Sequence, residues 1–125
     1  GEPYNYKGKL DFKIIDQSNK YVFITGELKI WRSENSIIEV FDQVVRLHNS
    51  GQEHELYILV INKNKNLSNV RNKVNELILK EPEFLEILDE QRIPKGSFQA
   101  FDRYLLKIRE RQVPLNVGFI DLYFE

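Results

Sequence analysis

The sequence has no cysteine, no methionine, a single tryptophan and only two histidines among its 125 residues. Without cysteine there is neither a disulfide framework nor a thiolate metal site, which fits a reducing, cytoplasmic setting. With no methionine even at position 1, the chain reads as a segment excised from a longer protein, so that an upstream domain of the same parent is an expected partner. No apolar run approaches the roughly 18 residues that a membrane helix needs, and no signal segment opens the chain, so no membrane partner is expected. Charge of one sign is not in excess either: the formal net charge is −1, which removes any global electrostatic argument for a polyanion. A phosphate-cradling glycine loop, zinc-ligand spacing and a placeable Ser/His/Asp set are missing too.

What is present suits one globular domain over residues 1–125. Hydrophobic residues make up 42% and charged residues 30%, and the length is enough to bury one core but not two. Charge is uneven locally. Residues 81–90 carry five acids, whereas residues 103–111 carry Arg103, Lys107, Arg109 and Arg111 against Glu110. Lys63, Lys65, Arg71 and Lys73 form a second basic group. Such patches steer a polyanion or simply solvate a face.

Apolar periodicity orders the chain. Leu10, Phe12 and Ile14 alternate with polar residues, so residues 9–15 read as a strand, and the turn residues Asp16-Gln17-Ser18-Asn19 lead to a second strand over Tyr21–Trp31. Ser36 and Glu39 have capping-box spacing before Ile37, Phe41, Val44, Val45 and His48, which repeat as an amphipathic helix over 37–48. Residues 55–61 (ELYILVI) read as a strand covered on both faces, reached by a crossover and so parallel to its neighbour. A helix over about 68–80 follows, with Val70, Val74, Leu77 and Ile78 inward; Glu81-Pro82 stops it, and 83–96 reads as an irregular acidic segment. Phe98, Phe101, Tyr104, Leu105 and Ile108 suit a helix, while Tyr104, Leu106 and Ile108 suit a strand. We favour a terminal hairpin of 103–109 with 115–124.

The strand FITGELKIW raises the functional question. Glu27 and Lys29, two residues apart, share a face. Asp11 on the preceding strand approaches Glu27 if the hairpin pairs in simple register. Two carboxylates within reach of each other suit Mg²⁺, and a neighbouring lysine has a use in orienting water and offsetting phosphate charge. The same three residues can equally form a surface salt-bridge cluster. Trp31 is a base-stacking or a packing residue, and Lys63 and Lys65 are phosphate contacts or a solubilising turn. His48 and His54 flank a loop and read as capping or surface residues rather than metal ligands.

In order along the chain, GKLDFKII with Asp11, GELKIW with Glu27 and Lys29, the helix ENSIIEVFDQVVRLHN, the strand ELYILVINKNKN and the helix LSNVRNKVNELILK resemble the PD-(D/E)XK nuclease superfamily. More narrowly, the chain looks like a bacterial branch reading GE-x-[FY]-N-x-x-G-K-x-D, then E-C-K-x-W, then a helix with D-Q. Gly1–Asp11, Glu27–Trp31 and Asp42-Gln43 match those pieces, and Asn62–Lys65 match the loop after the fourth element. The resemblance implies an α/β, restriction-endonuclease-like mixed sheet flanked by helices, with the first helix of that core absent from this chain. It implies a Mg²⁺- or Mn²⁺-dependent endonuclease acting on DNA. Asp11 and Glu27 would be metal ligands along with the backbone carbonyl of Leu28, Lys29 would position the water, and Gln43 and Lys63 would assist. The Q-x-x-x-Y element of some relatives is broken here, since Leu47 follows Gln43 by four. The rival expectation is an inactive nuclease-fold module used for binding or for forming a homodimer.

Overall fold

A computed structural model describes residues 9–16, 18, 21–48, 50–88 and 101–124; for Lys9, Leu10, Asp11, Asp16, Tyr21, Val22 and Phe23 the description is of the backbone alone. The matched piece Gly1–Gly8, the turn residues Gln17 and Asn19, residues 89–96 of the acidic segment and Phe98 lie outside the described residues.

Six strands and two helical segments make an α/β fold: β1 (Lys9–Asp16), β2 (Tyr21–Ile30), α1 (Glu34–Phe41) running into a π-helical stretch (Asp42–Leu47), β3 (Glu55–Asn62), α2 (Leu67–Leu79), β4 (Phe84–Ile87), β5 (Phe101–Ile108) and β6 (Arg111–Asp121). The sheet is mixed, in the order β1-β2-β3-β6-β5-β4. β2, β3 and β6 are parallel, while β1, β5 and β4 pair antiparallel. Both crossovers step the same way across the sheet and α1 touches α2, so the helices share one face. Beneath them lies the core, where Leu56, Ile58 and Val60 of β3 meet Leu115 and Val117 of β6, Tyr104 and Leu106 of β5, and the inward helix residues Ile37, Val40, Phe41, Val70, Val74 and Ile78. Among the described residues no helix is long and apolar enough to cross a membrane.

Three expectations are corrected. The N-cap of α1 is Ser33 rather than Ser36. Ser36 sits at the third helical position, its Oγ accepting the Arg32 and Ser33 backbone N–H groups at 2.9 and 3.3 Å, which frees Glu39 for another partner. The single helix over 37–48 changes pitch at Asp42: the His48 N–H donates five residues back to the Gln43 carbonyl at 2.7 Å, and the wider turn keeps the adjacent Val44 and Val45 both buried. Within the acidic segment Phe84–Ile87 is an edge strand, held to β5 by pairing that the local sequence does not announce. The terminal hairpin is present, over 101–108 and 111–121.

Register at the first hairpin matters most. Gly26 pairs with Phe12, and the Phe12 ring lies over the glycine, where any Cβ would collide with it. An aromatic ring seated on a cross-strand glycine pins a register that would otherwise slip. One position on, Asp11 pairs directly with Glu27.

Candidate functional site

Alternate residues of β2 face the helices, and three in succession are polar: Thr25, Glu27 and Lys29, all buried, with Glu27 0% exposed. A buried carboxylate without partners costs several kcal/mol, roughly. Here the α1–π crossover answers each residue in turn. Because it descends from the carboxyl end of β2 toward the start of β3, it meets the strand in reverse order. Lys29 Nζ donates to Glu39 Oε2 at 3.1 Å, the Glu39 carboxylate remaining largely exposed. Glu27 Oε1 lies 2.6 Å from His48 Nδ1. Thr25 Oγ1 donates to Glu53 Oε2 at 2.6 Å. The result is a ladder of three polar pairs.

Its lowest rung is built most completely. Glu53 also accepts the backbone N–H of Ser50 at 2.8 Å and of Gly51 at 3.2 Å. Burial alone would push this carboxyl up, but the hydrogen bonds from Thr25 and Ser50 together outweigh it and hold it below the usual value. Arg111 donates to the carbonyls of Gly51 and Glu53, closing the loop from below.

The middle rung is fixed from several sides. Besides its ring contact with Glu27, His48 is tied through its backbone N–H to Gln43, and its carbonyl accepts Lys13 Nζ at 3.0 Å from β1. Lys13 is the register partner of Thr25, two positions from Asp11.

No family model, curated protein or solved structure matches the chain. The site therefore stands on its geometry.

The structure brings Asp11, Glu27 and Lys29 to one hairpin, Asp11 and Glu27 as register partners, although the Asp11 side chain lies outside the described residues. Leu28 lies between Leu10 and Leu59 in the sheet. Gln43 is on the π-helical stretch, its Oε1 buried and without a hydrogen-bond partner among the described residues. Lys63 and Lys65 are exposed on the loop after β3, at the carboxyl end that β3 shares with β2. Trp31 instead packs in the core, 7% exposed, so its ring is not offered to a base in this structure. His54 is exposed beside Gly51, Gln52 and Arg111.

Sequence reasoning missed His48 as Glu27's partner. The helical repeat put His48 on the inward side, but the π turn rather than an α-helical pitch brings its ring there, and the partner lies 21 residues away across the crossover. It also missed Glu39 as the partner of Lys29, having assigned that side chain to a cap. Among the described residues no three of His, Cys, Asp and Glu converge as a metal-holding group. Asp11 is the register partner of Glu27, and two carboxylate residues are a donor type that suits Mg²⁺ or Mn²⁺. A cleft of about 410 Å³ lies elsewhere, with Arg71, Asp102 and Arg103 in its lining; Arg71 is paired with Asp102 and Arg103 with Glu55.

Proposed function

We propose that this chain is a PD-(D/E)XK-type nuclease domain of restriction-endonuclease-like fold, a cytoplasmic Mg²⁺- or Mn²⁺-dependent hydrolase of DNA phosphodiester bonds. The observation that carries the reading is the direct pairing of Asp11 with Glu27, with Lys29 two residues further on the same buried face. The order of elements supports it: a strand with Asp, an antiparallel strand with E-x-K, a helix, a parallel strand and a second helix.

In this reading Asp11 and Glu27 would hold the cation, with the Leu28 carbonyl as a third donor. When bound, the cation would polarise a phosphate oxygen and acidify a water. Lys29 would orient the attacking water and offset charge on phosphorus. Glu39 keeps the Lys29 ammonium fixed at the mouth of the site while itself facing solvent. Gln43 brings a buried carbonyl oxygen without a partner among the described residues, which fits a residue kept for a bound group rather than for packing. Lys63 and Lys65 would meet the DNA backbone, where their contribution is sequence-independent and salt-dependent.

One observation favours the rival reading of an inactive module in a dimer or a larger assembly. Lys29 and Glu27 each already have a protein partner, as a purely structural polar ladder would require. Cleavage of plasmid DNA with Mg²⁺ or Mn²⁺ separates the two. Asp11→Ala and Lys29→Ala are expected to lose at least about 10²-fold in rate while keeping native circular dichroism. Undiminished cleavage by either variant overturns the assignment.

A further inference from the structure

Most buried carboxylates that bind cations are themselves held by a hydrogen bond, because a ligand oxygen that can turn away binds weakly. Glu27 is fully buried on β2, and its Oε1 lies 2.6 Å from the His48 ring. Lys29, its neighbour on the same face, is drawn instead to Glu39. His48 is unusually well anchored for a residue at the end of a helix. Its N–H closes the π turn onto Gln43, its carbonyl takes Lys13 from β1, and the ring spans the gap to β2. A regular α-helical pitch would bond that N–H one residue later in the chain and rotate the ring off this line, so the widened turn is what aims it.

We propose that His48 is the positioning residue of the site: its Nδ1–H fixes the direction of the Glu27 carboxylate and thereby sets how tightly Glu27 holds a divalent cation. The inference rests on Glu27 being a metal ligand and adds a residue to that reading. His48 binds no cation itself; it acts through Glu27. The π-helical stretch is then part of the site, since it carries Gln43 at one end and delivers His48 at the other.

Calorimetric titration with Mn²⁺ alone, on the unaltered chain and on Asp11→Ala, His48→Ala and His48→Asn, tests it, with thermal unfolding of each measured alongside. The unaltered chain should bind and Asp11→Ala should not. His48→Ala should bind about 10- to 100-fold more weakly. His48→Asn should recover part of that loss, because the asparagine amide can donate from nearly the position of Nδ1. Both His48 variants should melt at similar temperatures, so that recovery is not a matter of stability. Unchanged affinity in His48→Ala, with Asp11→Ala silent, overturns the positioning role and leaves the metal reading standing. Equal weakness of the Ala and Asn variants overturns it as well, since packing rather than the hydrogen bond would then matter. Absence of binding by the unaltered chain overturns both.

Discussion

The helix-covered face of the sheet has two halves that are equally dry and chemically opposite. On β6 and β5, beneath α2, the inward residues are Val113, Leu115, Val117, Phe119, Tyr104 and Leu106, and the Tyr104 hydroxyl donates to Asn75 at 2.8 Å. On β2, beneath α1 and the π turn, they are Thr25, Glu27 and Lys29. Glu27, Ile58 and Val117 form a single row across three strands, each 0% exposed. Burying an apolar side chain contributes about 1.5–3 kcal/mol, whereas a buried ion pair contributes little or nothing net after desolvation. One half anchors the fold, and the other keeps residues that stability alone would replace. Local rules broken at one place and obeyed around it are what a functional or a strained site is expected to show.

The sharpest way to break the contrast is to move the charge one strand over. Ile58→Asp puts a carboxylate in the same row as Glu27 but where no crossover residue answers it. It should cost about 4 kcal/mol or more and unfold the domain at room temperature in mild denaturant. A variant that unfolded at the unaltered denaturant midpoint would mean that the row is not dry, and the comparison would fail.

Next comes the lowest rung. Glu53→Gln keeps the shape but removes the charge that three donors address, at a cost of about 2 kcal/mol near neutral pH. The sign follows from the direction of its shift. The folded carboxyl titrates below its unfolded value, so its contribution is present above about pH 4.5. It is lost as pH falls through the folded value. Melting curves of the two proteins from pH 7 downward should therefore converge in acid. A gap that stayed constant with pH would assign the effect to geometry instead.

How much of this was legible in the sequence differs between the halves in the same way. The apolar half follows from period-two and period-3.6 patterning, which placed Tyr104, Leu106, Val70, Val74 and Ile78 correctly. The Asp11–Glu27 pairing followed from a short turn and alternation. The ladder did not, because Glu39, His48 and Glu53 meet β2 only after the chain has crossed back over it, and each has its own local reading as cap, helix end or loop. The π turn was invisible because the apolar positions from Ile37 to His48 also fit an uninterrupted α-helical repeat, and no residue marks where the turn widens. β4 was hidden by Glu86, which suits an exposed edge strand as well as a loop.

Lys29→Met tests whether the polar half matters for stability. The methionine fills the volume of the lysine stem, and Glu39 is left exposed to water rather than stranded. Stability should stay within about 1 kcal/mol of the unaltered chain, or rise, while the Mg²⁺-dependent cleavage proposed above should disappear. A loss as large as that of Ile58→Asp would instead make Lys29 a pillar of the fold and remove the asymmetry between the halves.

The smallest effect is expected in the apolar half, at its turn. Ile108 and Arg111 are register partners, so Arg109 and Glu110 form a two-residue hairpin connection, and Arg109 carries it with φ +57. A β-carbon there costs about 1–2 kcal/mol, and glycine is the residue such turns favour at their first central position. Glycine also frees the unfolded chain, which returns about 0.5–1 kcal/mol of that gain. Arg109→Gly should thus stabilise by about 0.5 kcal/mol, raising the melting temperature by about 2 °C. The metal binding proposed for the β1–β2 hairpin should not change. A lower melting temperature would show that the Arg109 side chain contributes more beside Gly51 than its backbone strain costs, and that even the anchoring half retains a residue for its side chain rather than for its fit.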